Sequence, residues 1–453
     1  MRTLEIAEAA LAAAAGDGAE AVVHFERSGL ARFAGSEVHQ PTLVDDTVVQ
    51  LSVVRDGRLG IAIGNRIGAE GLVDLARRAR EAAESASPDP DLPQLAPPAR
   101  HPDVAGDDEE TATLAPEDQA RLACAAIEAA PGHDVYGFFT SGVCELAIAS
   151  STGLFAHQRF TDATALVLAA GDDASGYAER TSWTVADLDP AAVAQEAAEK
   201  AARTRGAREL EPGRHAAVLE PYAVAELLEY FAWDSFNGLG LREERSYLAG
   251  RIGERIFDER ISVADDPLDP RGLPKAFDFE GTPKRRVELV ARGVARGVVW
   301  DRATAARAGD GRESTGHGLQ ARFRRYGAVP LALSVAPGEA ESAEALAELV
   351  GEGIYVTRLH YLGVVNPREG EITGMTRDGT FRIRNGRIAE PLVNLRFTVQ
   401  VPEVLREVPG LTRERLLVNQ NEFYDERYST AALVPALATA SFNVTGTGSR
   451  PGL

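Results

Sequence analysis

The sequence predicts an α+β protein in two parts. The first is an N-terminal mixed α/β domain, residues 1–210; the second is a β-rich, mainly antiparallel C-terminal domain, residues 211–453, with a few helices. Three observations lead there. A chain of 453 residues exceeds what one ordinary core serves, so two domains of roughly 200 residues each are expected. The first half mixes Ala-rich helical patterns with strand runs, whereas the second is dominated by short strand-like runs, several joined by Gly turns. Residues 206–214, GARELEPGR, follow neither period and place the junction near Glu211.

Taken in order, Leu4 to Ala15 reads as a helix and Ala19 to Glu26 as a strand. Residues 46–65 read as a hairpin turning at Asp56-Gly57, and GLVDLARRAREAAESA as an amphipathic helix. Residues 87–105 hold six prolines, which deny the segment helix and sheet hydrogen bonds and make it a long loop within the first domain. A helix from Pro116 to Ala130, two strand runs and a helix from Pro190 to Arg205 complete this half.

The second half opens with a helix over 221–236 that stops at an Asn-Gly-Leu-Gly break. Strand runs follow at RRVELVARGVARGVVWD, VPLALSVAPG, GIYVTRLHYLG and GTFRIRNGRIAEP, the last with Asn385-Gly386 as its tight turn. One further helix, SAEALAELVGEG, has Ser342 as its N-cap and ends at Gly351 or Gly353.

Composition narrows the function. A formal net charge of -20, from 48 Lys+Arg against 68 Asp+Glu, argues against a nucleic-acid surface, which needs clustered basic residues to neutralise phosphates. Glu5 and Glu8 interrupt the stretch that a signal peptide keeps apolar, and no window approaches the roughly 20 apolar residues of a membrane span, so a cytoplasmic chain is expected. The two cysteines, Cys124 and Cys144, make neither a disulfide framework nor a C-x-x-C site, and both are expected to pack inside.

The eight histidines stand no closer than 15 residues apart (His24 and His39), without H-E-x-x-H or H-x-H, so no self-contained zinc motif exists. There is no G-x-x-x-x-G-K-[ST] loop and no G-x-S-x-G elbow. One acidic pair stands out: Glu229 and Asp234 flank YFAW at the end of the 221–236 helix. Residues five apart stand about 140° apart on a regular helix, so the two carboxylates share a face only if the helix bulges or unwinds near Trp233. Trp233 and Phe236 read as packing residues.

Five longer stretches together resemble the TldD/PmbA family, metalloprotease-related proteins once described as modulators of DNA gyrase. They are SYLAGRIGERIFDERISVADDP at 246–267, FDFEGTPKRRVELVARGVARGVVWDRATAAR at 277–307, STGHG at 314–318, GIYVTRL at 353–359 and TGMTRDGTFRIRNGRIAEPLVNLRF at 373–397, in the family's order. The resemblance implies an α/β domain followed by a β-rich domain, assembled as dimers. Its TldD branch carries an H-E-x-x-x-H helix and a late cysteine that bind zinc and hydrolyse peptides. Its TldE or PmbA branch lacks those ligands and pairs with TldD.

Aligning YLAGRIG without a gap lays the six-residue motif on Glu229 to Asp234. Glu229 then stands where the first His would be, Tyr230 where the general-base Glu would be, and Asp234 where the second His would be. The late cysteine also has no counterpart, since the last Cys is Cys144. A tyrosine, whose reference pKa is about 10, is a poor substitute for that base, and two carboxylates alone do not make a cation site.

The resemblance therefore implies a chain with no catalytic or metal-binding residues of its own and no cofactor, with zinc on a TldD-like partner subunit. Such a chain helps to form the chamber that binds unfolded or extended peptides and is active only within a heteromeric peptidase. His317 and His360, in or beside family stretches, are the candidates for lining a substrate groove. The alternative is a divergent hydrolase of a small molecule or peptide-derived metabolite, using Glu229, Asp234 or the scattered histidines. A stand-alone homodimer is a third reading.

Overall fold

A computed structural model of the chain describes residues 2–421, 423 and 426–452. The first half contributes one six-stranded, wholly antiparallel sheet. Its strands are β1 (Gly18–Ala34), β2 (Glu37–Arg55), β3 (Arg58–Gly64), β4 (Asp134–Ser150), β5 (Phe155–Gly171) and β6 (Ala174–Ser182), in the order β3-β2-β1-β4-β5-β6. The helices are α1 (Arg2–Ala13), α2 (Ala69–Ser85), the single turn α3 (Glu109–Ala112), α4 (Pro116–Glu128) and α5 (Pro190–Arg203).

Alanine and glycine set how closely these helices lie on the sheet. α2 buries Ala76, Ala79 and Ala83, and α5 buries Ala194, Ala197 and Ala201. Opposite them stand Gly60 on β3 and Gly176 on β6, where a Cβ would come within 2.1 Å of the Ala79 carbonyl oxygen and 2.2 Å of the Ala197 one. The helix backbones thus rest directly on the strands, a contact that any larger residue on either side would push apart. α5 begins at a Pro in its first turn, and the Asp189 side chain accepts hydrogen bonds from the Ala191 and Ala192 amides.

The proline-rich loop runs outside regular structure and is tied to the second half. His101 Nε2 lies 3.0 Å from the Gly281 carbonyl oxygen, and Arg307 pairs with Asp89 at 2.8 Å. The sheet itself packs against residues of the second half: Val22, Leu146, Ile148 and Phe160 meet Ala276, Phe277 and Phe279 in one buried cluster.

The second half forms an eleven-stranded sheet. Its elements in order are β7 (Gly213–Leu219), α6 (Pro221–Ser235), α7 (Gly238–Arg242), β8 (Val263–Asp265), β9 (Val287–Ala291), β10 (Val294–Ala295) and α8 (Arg302–Ala308). Then follow β11 (Leu333–Val335), α9 (Ala343–Val350), β12 (Gly353–Asn366), β13 (Glu371–Arg384), β14 (Arg387–Pro391), β15 (Leu395–Gln400), α10 (Val401–Val404), β16 (Gly410–Asn419) and β17 (Ala431–Thr447). Pairing is antiparallel except at β7–β12 and β11–β17. Because β7 pairs with both β12 and β17, the strands β17, β15, β13, β12 and β7 close into a ring. The α+β class read from the sequence is the observed one.

Several details differ from the sequence reading. β1 runs to Ala34 and β2 begins at Glu37, well beyond the strand and hairpin expected there. β16 and β17 were not expected at all. Cys144 is buried as expected, but Cys124 is exposed: α4 buries Gln119, Ala123 and Ala126, and position 124 falls outside that stripe.

Candidate functional site

Helix α6 carries the acidic pair. Pro221 occupies its first turn, and the helix stays regular to Ser235, where the Phe236 amide still reaches the Ala232 carbonyl oxygen at 3.0 Å. The Asn237 side chain then accepts hydrogen bonds from the Leu239 and Gly240 amides and starts α7, so the Asn-Gly-Leu-Gly stretch is a capped restart, not an unwound end. α6 buries Tyr222, Val224, Leu227, Leu228 and Phe231, and Phe231 meets the rings of Phe236, Tyr247 and Phe257. Tyr230 and Trp233, one turn apart, are 37% and 38% exposed. The Trp233 ring meets Tyr326 edge-on at 5.8 Å, while Phe236 is wholly buried.

Regularity decides the geometry of the pair: Glu229 and Asp234 point about 140° apart. The bulge near Trp233 that would bring them together is not formed. Asp234 is instead ion-paired with Arg245, which also holds Glu243 at 2.7 Å. That cation offsets the unfavourable placement of an acid in a last helical turn.

These residues do not fit a zinc ion. α6 offers no imidazole or thiol, a phenol stands between the two acids, and one acid is taken by a guanidinium. Among the described residues, no group of three or more His, Cys, Asp or Glu is arranged to hold a metal.

What the sequence reading missed is Glu226, on the buried side of the same helix. Its Oε2 accepts the Leu359 amide hydrogen at 2.6 Å. Burial, against the pull of the Arg358 charge, pushes its carboxyl up to about 8. Arg358 donates to Asp378 Oδ2 at 2.7 Å and lies over the Tyr177 ring at 4.2 Å. Tyr177 donates to Glu179 Oε2 at 2.7 Å, and Glu179 Oε1 accepts from the Asn419 amide at 2.8 Å. This chain of buried and half-buried groups joins the first sheet, through β6, to α6 and the second sheet. The available signal was an acid within the apolar run YAVAELLEYF.

The two histidine candidates separate. His317 lines no groove: it is 1% exposed, with Nε2 2.7 Å from Asp265 Oδ2 and Nδ1 2.9 Å from Thr315 Oγ1. Burial would raise the Asp265 carboxyl, but His317, Lys284 and the Ala332 amide together hold the group below its usual range. Its work is to fix the 314–318 loop against β8. His360 is half-buried, its ring 4.2 Å from that of Tyr361. Burial, with Arg358 and Arg377 nearby, pulls its pKa down to about 4 and keeps the imidazole neutral near pH 7.

Comparison with known proteins places this architecture. The PmbA/TldA metallopeptidase C-terminal domain matches residues 212–446, the central domain 64–205 and domain 1 residues 19–83. The fold is similar to the crystal structure of TldE from Thermococcus kodakarensis, with a TM-score of 0.85 at 22% identity, covering 98% of this chain and 99% of that one. An uncharacterized protein of Methanocaldococcus jannaschii is 29% identical over 191 residues, 42% of this chain and 44% of its own. A protein named metalloprotease from Methanothermobacter thermautotrophicus is 27% identical over 216 residues, 47% of this chain and 46% of its own. The chain thus spans less than half the length of these curated relatives. With one family model alone matching 212–446 of its 453 residues, the chain belongs to the PmbA/TldD metallopeptidase family.

Proposed function

We propose that this chain is a non-catalytic, TldE-like subunit that completes the chamber of a TldD-type zinc peptidase and helps to hold an unfolded or extended peptide. The carrying observation is the state of α6. At the three positions where the resemblance puts the zinc ligands and base stand Glu229, Tyr230 and Asp234, on a regular helix, with Asp234 committed to Arg245. The likeness to TldE supports the same branch of the family. Zinc, on this reading, belongs to the partner.

The partner-facing surface in this proposal is the outer end of β12. The ladder to β13 is interrupted between His360 and Gly363, Tyr361 adopts φ 50°, and Tyr361, Val364 and Val365 are 79%, 40% and 54% exposed. Exposed apolar side chains close together along one strand end are costly to leave in water and suit a subunit contact. The proposal also places the chain in the cytoplasm, divides it at residues 1–210 and 211–453, and makes a heterodimer with a TldD-like chain its working state. No described helix is long and apolar enough to cross a membrane.

Co-expression with a TldD-like chain tests it. Co-purification, and peptidase activity that appears only in the mixture, are the expected results. Peptidase activity of this chain alone, abolished by EDTA, would overturn the proposal.

A further inference from the structure

A cavity of about 250 Å³ lies where the first sheet meets the second half, far in sequence from α6. β1 and β2 supply Glu20 and Ser52, a cross-strand pair; the 278–283 loop supplies Glu280; α8 supplies Arg302; and the turn at 321–326 supplies Arg324. Val54, Leu59, Leu92 and Leu95 form an apolar wall.

The polar side of this cavity is incompletely satisfied. Among the described residues, neither the buried Ser52 hydroxyl nor the buried Arg324 Nε has a hydrogen-bond partner. Glu20 is 3% exposed, with Arg324 and Arg302 as the opposing charges in its field. Glu280 accepts the Arg302 amide hydrogen at 3.0 Å, but the nearest approach of Arg324 to it is a loose 3.9 Å. Desolvation pushes Glu20 up to about 7, and desolvation with the neighbouring Asp278 charge pushes Glu280 up to about 8, against the pull of Arg324 on both. Buried groups left without partners are uncommon in native proteins, and two of them, Ser52 Oγ and Arg324 Nε, face this one cavity.

The ligand that answers all of them carries both charges. A cation satisfies Glu20 and Glu280, and an acceptor anion satisfies Arg324 Nε. The volume falls below the roughly 300–1,000 Å³ of sites for drug-sized molecules, which restricts the ligand to one small compound. The leucine and valine wall favours an apolar side chain. We propose that this cavity, built from Glu20, Ser52, Glu280 and Arg324, binds a free α-amino acid with an aliphatic side chain. The proposal is independent of the subunit role argued above.

The test is titration calorimetry on the full chain with L-leucine, L-valine and L-alanine, beside acetate and methylammonium as single-charge probes. The expected result is saturable binding of at least one amino acid, none of either single-charge probe, and roughly tenfold or greater weakening in both Glu20→Gln and Arg324→Gln. Thermal unfolding confirms that each variant is folded, and Arg324→Gln, at a partly exposed position, is the variant less exposed to that concern. Equal binding of acetate would mean a plain anion site and overturn the proposal. So would the absence of binding by every amino acid, or variants that bind as tightly as the parent.

Discussion

Glu226 and Arg427 show two opposite effects of single ionisable groups on the stability of this molecule. Glu226 has a folded pKa of about 8 against an ordinary value of 4.5. Between those values the folded chain binds more protons than the unfolded one, so this group makes stability fall as pH rises from about 4.5 to about 8. Glu226→Gln keeps an oxygen for the Leu359 amide and removes the titration. Denaturant unfolding at pH 5 and pH 8 should show the variant gaining on the parent by more than about 1 kcal/mol at the higher pH; an unchanged difference would contradict the buried-carboxyl account. Arg427 is the opposite case. Its guanidinium holds Asp162 at 2.6 Å, with the two side chains 3% and 2% exposed. It also donates to Thr140 Oγ1 at 3.0 Å. Arg427→Ala strands the Asp162 charge in the interior and should lower stability by roughly 3–5 kcal/mol in the same unfolding assay.

At the scale of elements, α6 owes its place to apolar packing. Phe231→Ala removes a ring that touches three others and should destabilise by roughly 3–5 kcal/mol, whereas Trp233→Ala, at a 38% exposed position, should cost far less. Comparison of their denaturation midpoints checks the difference. The elements legible in the sequence were those with local signals. Asp56-Gly57 and Asn385-Gly386 turn with positive φ at both residues, as the hairpin reading requires, and the Ser342 side chain accepts from the Ala345 amide as a cap should. β17 was illegible because nine of its first nine residues, Ala431 to Thr439, are buried. A strand covered on both faces loses the alternation that identifies strands. The same limit applies to the site. Helix period alone gave the separation of Glu229 and Asp234, but Arg245 as partner of Asp234, and Glu226 meeting a strand 133 residues away, depend on tertiary contacts. The burial of His317 depends on them too.

For the whole molecule, the two sheets are fastened by the cluster around Phe277, by Arg427 with Asp162, and by the Tyr177–Arg358 network, so the halves should unfold together. The partner proposal makes a separate claim at this scale: Tyr361→Glu with Val365→Asp should abolish co-purification with a TldD-like chain while leaving the melting temperature of the isolated chain nearly unchanged. The measurement that bears most directly on the central claim is the zinc content of this chain purified alone, taken together with its peptidase activity before and after a TldD-like chain is added. The account predicts no stoichiometric zinc, no hydrolysis alone, and hydrolysis on mixing. Stoichiometric zinc with EDTA-sensitive hydrolysis by the isolated chain would contradict it.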